Sequence, residues 1–357
     1  MKIGIMTFQE TTNYGALLQA TALQITLSQL GAESEIIRYR CDEIVKRELP
    51  ESIFKHGIIH APISFLAGCV QKRKYKMLEG FKAKYCKISE KEYSSKDISL
   101  SQTEYDRFLV GSDIVWELNV TGGDTAFYLD FLDEKSRKYA FSSSFGYNQI
   151  PERYVEVSRK LLSDFTSISV RETEGAQIIK ELLNQEVPVT ADPTLLLTGE
   201  QWRQYEQKYP KLREKGYILV YFDDHAGNAL SFAKKLANKY SLPIVLIRSS
   251  LRNIKSVKTI RDASVEQFLW LVDNAKYVVT GSYHGVLYAI NFNTDFYYVN
   301  RAHTGRINTI IDKSGITNRN IMEEQIDYDG INWLVVNQTV AAYRNQSISY
   351  LKEISRE

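Results

Sequence analysis

Cysteine is scarce in this chain. Cys41, Cys69 and Cys86 are odd in number and lack metal-type spacing, which argues against a disulfide framework or a zinc cluster and reads as reduced, cytosolic thiols. Surplus charge is scarce as well. The 45 Lys and Arg nearly balance 43 Asp and Glu, and a net +2 is too small to argue for nucleic acid. No apolar run approaches the roughly 18 residues that span a bilayer. The opening MKIGIMTF reads as a strand and not as a secretion signal, because polar residues follow at once. Internal repeats, low-complexity segments, a metal cluster, a Walker loop, a G-x-S-x-G elbow and a G-x-G-x-x-G fingerprint are all missing. What remains is a globular, cytosolic chain whose 357 residues suffice for two domains and whose 44% hydrophobic content suffices for a full core.

The stretch that organises it is YVVTGSYHGVLYAINF, residues 277–292. Tyr277, Val278 and Val279 read as the end of a buried strand, and Ser282 as the N-cap of a helix starting near Tyr283. Val286, Leu287 and Ile290 give that helix an apolar stripe. His284 then falls in the first turn, beside free backbone N–H groups and the positive end of the helix dipole, a place that suits a phosphate. The plain alternative is a histidine packed between helix and strand.

Taken in order, Ile3 to Phe8 reads as a strand, Gly15 to Leu30 as a helix stopped by Gly31, and Glu35 to Tyr39 as a second strand. That is a β-α-β unit with Asn13, Tyr14 and Gly15 at its turn. Residues 46–91 carry eleven Lys and Arg against four Asp and Glu, which predicts a helical insertion with a basic face. Its sharper reading is a surface that meets anionic lipid or a lipid-linked acceptor. Strands follow at 106–110, 138–142, 168–170 and 187–190. Around 199–215 the pattern turns polar, so the reading divides the chain into domains 1–198 and 199–330 and a C-terminal helix 331–357. The second domain repeats the alternation, with strands at 217–222, 244–247, 277–279 and 296–299 and helices at 228–240 and 264–274.

The informative feature is positional. Asn13-Tyr14-Gly15, Gly111-Ser112-Asp113, the run Ser142–Gly146, Arg171, Asp192, His284 and Arg306 all lie just past predicted strand ends, which face the ligand crevice of a parallel sheet. Two such sheets face to face make a cleft between domains. Arg171 reads either as a bidentate holder of a carboxylate or phosphate or as a structural partner of Glu172 or Glu174. Asp113 is a cap for a short helix carrying Trp116 or a site carboxylate, and Ser142 to Ser144 satisfy a buried turn more readily than they touch a ligand.

In this order NYGALLQATALQ, LVGSDIVW, YAFSSSFG, SVRETEGAQIIKELL, VTADPTLLL and TGSYHGVLYAINF resemble the polysaccharide pyruvyl transferases, from about Lys2 to Gly315. The resemblance implies an α/β fold of two Rossmann-like domains around a cleft, like that of the B-type glycosyltransferases. It also implies transfer of pyruvate from phosphoenolpyruvate to two hydroxyls of a saccharide as a cyclic ketal, in cell-surface or exopolysaccharide biosynthesis. The donor would be held by Arg171, the Ser282-Tyr283-His284-Gly285 turn and Arg306, with Arg301 in reserve because Tyr283 stands where many relatives have Arg or Phe. His284 would give a proton or hold phosphate, and Asp113 would serve as base. Asn13, Tyr14, Gly15, Ser112, Trp116 and Ser144 would line the acceptor side, where Ile114 replaces a frequent Gln. The scheme needs no metal and no cofactor beyond the co-substrate. It expects a saccharide partner, lipid-linked or free, no nucleic acid, and a cytoplasmic location that includes the inner membrane face. The competing readings are a nucleotide-sugar glycosyltransferase of the same fold, a two-lobed ligand-binding protein and an inactive relative.

Overall fold

Short runs rich in β-branched and aromatic residues build two parallel sheets, and nearly every connection between their strands is helical. The computed structural model describes residues 1–48, 61–212, 216–222, 227–248, 250–251, 253–300 and 305–356. Arg301, one of the donor candidates, lies outside them. The first sheet contains β1 (Lys2–Met6), β2 (Glu33–Tyr39), β3 (Ile88–Tyr93), β4 (Arg107–Val110), β5 (Lys138–Ser143) and β6 (Ser167–Val170), in the order β3-β2-β1-β4-β5-β6. The second contains β7 (Ile218–Tyr221), β8 (Ile244–Ile247), β9 (Val257–Ile260), β10 (Tyr277–Thr280) and β11 (Phe296–Tyr298), in the order β11-β10-β7-β8-β9. Each order reverses once, between β1 and β4 and between β7 and β10, and such reversals open the crevice where ligands sit in α/β sheets.

The helices are α1 (Tyr14–Gln29), α2 (Asp42–Glu48), α3 (Ala61–Tyr85), α4 (Leu118–Thr121), α5 (Glu152–Leu162), α6 (Thr173–Leu183), α7 (Gly199–Arg203), α8 (Asn228–Tyr240), α9 (Val265–Asp273), α10 (Tyr283–Phe292), α11 (Gly305–Ser314) and α12 (Trp333–Ile354). Two of them bury more than a stripe. In α1 thirteen residues are buried, including Gln19, Thr21 and Gln24, and in α10 every residue from Tyr283 to Phe292 is buried. A helix apolar on all sides belongs inside a core, and these two lie where the sheets meet. One continuous apolar cluster accordingly joins Leu17, Leu18 and Leu23 of α1 to Phe268 of α9 and Val286, Leu287 and Tyr288 of α10.

The 46–91 stretch departs from a plain helical insertion. Its last residues enter β3, which extends the first sheet beyond β2. Within α3, Lys82 is buried against Glu79 at 2.6 Å and Glu10 at 3.5 Å, and Arg73 reaches Asp262 of the second half at 3.3 Å. Residues 49–60 of the stretch lie outside the described residues, and among the described ones the basic side chains do not form one solvated face. Residues 187–190 make only an isolated bridge, Val189 to Val170, and β9, between β8 and α9, escapes the sequence reading because its VKTI carries little alternation. Finally, α12 starts where Ile331 N donates to Asp295 and then crosses to the first sheet. There Ser347 Oγ accepts from Ala191 N at 2.8 Å and Tyr350 meets Ser167 at 2.6 Å.

Candidate active site

β6 delivers Arg171 into the interior, where it is only 1% exposed. A bare guanidinium there would cost several kcal/mol, so its partners define the place. Nη1 donates to Asp192 Oδ2 at 3.0 Å and reaches Ser112 Oγ at 3.5 Å. Asp113 Oδ1 stands 3.6 Å from Nη2, and Glu172 Oε2 stands 3.8 Å from Nε. The Cζ of Arg171 lies over the ring of Tyr283, 4.7 Å from its centroid. Burial opposes its charge, yet Tyr283, Asp192, Asp113 and Glu172 together hold the guanidinium firmly protonated.

One edge of Arg171 is open. Nε and Nη2 are buried without a hydrogen-bond partner, and so are Glu172 Oε2 and His284 Nε2. The Nε and Nη2 hydrogens point the same way, in the fork that grips a carboxylate by both oxygens. Asp113 and Glu172 flank this fork just outside hydrogen-bond reach.

The second half supplies His284 and Arg306. Ser282 caps α10 by accepting from Gly285 N at 3.3 Å, and that cap puts His284 in the first turn. His284 Nε2 lies 3.6 Å from Asp192 Oδ2, the same oxygen that Arg171 holds. Burial pushes the Asp192 carboxyl up, but His284, Arg171 and the Thr194 amide outweigh burial and hold it well below the usual carboxylate range. The other ring nitrogen faces Gly15, where a Cβ would stand 2.1 Å from Nδ1. Only glycine lets α1 approach that closely. Arg306 enters from the first turn of α11, which packs on α6 so tightly that a Cβ on Gly305 would meet Glu174 Cδ at 2.3 Å. Burial lowers the Arg306 proton affinity, as does neighbouring Arg171, while Glu172 and Asp113 oppose both. Two cations, three carboxylates and an imidazole thus converge from both sheets on the ends of β4, β5, β6 and β10. One surface hollow of about 810 Å³ lies away from this place, between Lys234 and Lys255, beside the first residues of β8 and β9.

A model of the polysaccharide pyruvyl transferases matches residues 13–303. The chain belongs to that family. No curated protein sequence matches it significantly. Among solved structures it is similar to the UDP-GlcNAc 2-epimerase of Neisseria meningitidis, at 13% identity and a TM-score of 0.50, covering 100% of this chain and 94% of that one. The UDP-GlcNAc 2-epimerase of Methanocaldococcus jannaschii gives 12% identity, the same 0.50, and coverages of 97% and 93%. At such identities the likeness concerns the fold alone, and the fold is that of the B-type glycosyltransferases.

Within this family fold the residues singled out from the sequence separate into two groups. Arg171, Ser112, Asp113, Asp192, His284, Gly15 and Arg306 converge. Ser144 joins them indirectly, donating to Glu172 Oε1 at 2.7 Å. Trp116 does not line the cleft. It is fully buried between Tyr128, Phe145 and Phe165, and its indole donates to Phe127 O at 3.1 Å. Tyr14 is committed to joining the halves, stacked on Phe268 at 4.6 Å with its hydroxyl donating to Ala263 O at 2.7 Å. Asn13 accepts from Gly15 N and caps α1, while Gly285 spends its N–H on Ser282 and packs against Thr280. Asp113 Oδ1 accepts from Ile114 N at 2.9 Å and also faces Arg171, so it bonds its own turn and shares the site. Trp116 belongs to no helix; α4 begins two residues later.

Two residues escaped a role at the sequence level. From the sequence Glu172 reads only as an ion-pair partner of Arg171, and Asp192 only as a residue at a strand end without a function. The signal for Asp192 was its place before Pro193, where its Oδ1 accepts from Thr194 N and Oγ1 and fixes the turn.

Proposed function

We propose that this protein transfers pyruvate from phosphoenolpyruvate to a saccharide as a cyclic ketal, on the cytoplasmic side of cell-surface or exopolysaccharide synthesis. The observation that carries the reading is the open fork of Arg171. A buried, permanently charged edge with two unused donors fits a small carboxylate. Arg306 and the first turn of α10 offer positive potential for the phosphate of the same molecule. The acceptor is a saccharide, free or lipid-linked, and phosphoenolpyruvate is the sole co-substrate.

The chemistry follows from these charges. A proton added at the methylene carbon leaves a cationic C2, which a sugar hydroxyl attacks while its own proton passes to a carboxylate such as Asp113. The C2–O bond to phosphate then breaks, and a second hydroxyl closes the ketal as phosphate carries its proton away. His284, held by Asp192, either protonates the methylene carbon or contacts the phosphate. Rate enhancement on this scheme is mostly positional and electrostatic.

The test is binding followed by turnover. Millimolar phosphoenolpyruvate is expected to raise the melting temperature, because a ligand of the native state stabilises it by mass action. Phosphate release is then followed across a panel of acceptor glycans. A melting shift with nucleotide-sugars and none with phosphoenolpyruvate would overturn the reading in favour of a glycosyltransferase of the same fold. Arg171→Lys keeps the charge and loses the fork. Activity is expected to fall about 10- to 1000-fold, equivalent to roughly 1.5–4 kcal/mol for a buried charged contact.

A further inference from the structure

A ligand carboxylate that enters the fork of Arg171 from the Glu172 side meets an unpartnered carboxylate oxygen. Nε and Glu172 Oε2 stand 3.8 Å apart. An oxygen placed on the Glu172 side of the fork at a normal distance of about 2.8 Å from Nε, off the line that joins the two atoms, also comes to about that distance from Oε2. Two carboxylate oxygens so close must share a proton, since O–H···O⁻ contacts of about 2.5–2.7 Å are attractive and O⁻···O⁻ contacts are not. Resting on the reading above, we propose that Glu172 is a donor-contacting residue that becomes protonated as the donor binds and gives its Oε2–H to the carboxylate of phosphoenolpyruvate, so that donor binding is coupled to proton uptake.

The surroundings select Glu172 over the other two carboxylates. Asp192 is fixed at both oxygens, by Thr194 on one and by Arg171 and His284 on the other. Asp113 Oδ1 already accepts from Ile114 N. Glu172 is 2% exposed, and its Oε2 has no hydrogen-bond partner while Oε1 accepts from Ser144. Every element around it contributes charge. Arg171 precedes it, Glu174 follows on α6, Arg306 approaches from α11, and Tyr283 of α10 and Tyr343 of α12 are near enough to feel it. Burial raises its proton affinity, Arg171, Ser144 and Arg306 oppose that, and the balance lies above the ordinary glutamate range. Arrival of a trianion raises it further. The proton comes from solvent and stays on the carboxyl, and no covalent bond changes.

Calorimetry of phosphoenolpyruvate binding in two buffers of different ionisation enthalpy, at pH 6.5, 7.5 and 8.5, tests this on the full chain and on Glu172→Gln. The wild type is expected to take up about half a proton more than the variant on average between pH 6.5 and 8.5, and correspondingly to lose about ten-fold more affinity over that range. Protons exchanged by the ligand itself cancel in the comparison. Ser144→Ala gives a second reading if Glu172→Gln fails to fold. Without the hydroxyl that favours the ionised form, the pH at which affinity falls is expected to move upward. Binding with equal proton uptake in wild type and Glu172→Gln, or an unmoved midpoint in Ser144→Ala, overturns the role of Glu172 and leaves the pyruvyl-transfer reading standing. Absence of phosphoenolpyruvate binding to the wild type overturns both.

Discussion

Asp192 shows how one carboxylate can serve two residues from different halves of the molecule. Its Oδ2 is shared by Arg171 and His284, so replacing it with Asn takes from both at once the carboxylate nearest to them, and Arg171 keeps only the more distant Asp113 and Glu172. Asp192→Asn is expected to cost roughly 3–5 kcal/mol of stability at pH 7, as for other broken buried pairs, and to cut activity severely. The pH dependence has a definite sign. A carboxyl whose folded proton affinity is depressed stabilises the fold above its unfolded value, near pH 4, and loses that contribution as the pH falls through its folded value. The gap between wild type and Asp192→Asn, read from urea unfolding, should therefore narrow below about pH 4. Glu172 carries the opposite sign. Its raised folded value favours the native state in acid and loses that advantage as the pH rises above the unfolded value of about 4.3. Glu172→Gln should consequently gain on the wild type in melting temperature between pH 5 and pH 8. Gly15→Ala is a steric test, since the new Cβ must displace His284 or α1. A fall in kcat/KM of ten-fold or more with a modest loss of melting temperature is expected, and an unchanged kcat/KM would show that His284 needs no fixed position.

At the scale of elements, α1 and α3 decide how the halves meet. Tyr14→Phe removes the hydroxyl bonded to Ala263 O and leaves that carbonyl unpaired, which should cost about 1–3 kcal/mol in chemical denaturation. Lys74 on α3 is the less expected feature. Its ammonium lies 4.4 Å over the Tyr14 ring, and burial, opposed only by Glu48, lowers its pKa to about 8. Lys72 and Lys76 are exposed instead. Any affinity for anionic vesicles should then respond to neutralising Lys72 and Lys76, each worth about 1 kcal/mol near such a surface. Lys74→Met should leave vesicle binding alone. Co-sedimentation at low salt separates these outcomes, and equal losses from all three substitutions would contradict the placement of Lys74. No helix among the described residues is long and apolar enough to cross a membrane.

For the molecule as a whole, the two sheets share one apolar core and one polar centre. The first is the continuous cluster around α1, α9 and α10, and the second is the set of charges around Arg171. α12 ties them from a third direction by starting beside Asp295 and ending against Arg107, whose guanidinium donates to Ile354 O. Truncation before α12 is expected to unfold both halves together, because Val336, Val340, Leu351 and Ile354 would leave that core exposed. Two separate transitions in calorimetry, one intact, would show that the halves fold independently of the helix.

The sequence by itself determined the alternation of strands and helices. Period and caps are local, so helix 228–240, strand 244–247 and the Ser282 cap were legible from neighbouring residues. It also placed Arg171, Asp113, His284 and Arg306 at strand exits, since chain order and the parallel topology fix which end of a sheet each loop occupies. What it could not decide depends on distance across the fold. Trp116 and Tyr14 look like cleft residues in a motif, and only packing reveals that one fills a core and the other fastens two halves. The basic run of α3 reads as a single face until Lys82 and Arg73 find partners on other elements. The shared oxygen of Asp192 and the unpaired fork of Arg171 exist only because residues up to 171 positions apart, from Asp113 to His284, are folded to one point. No local pattern encodes such a meeting, because its energy comes from burial and from charges that the chain brings together last.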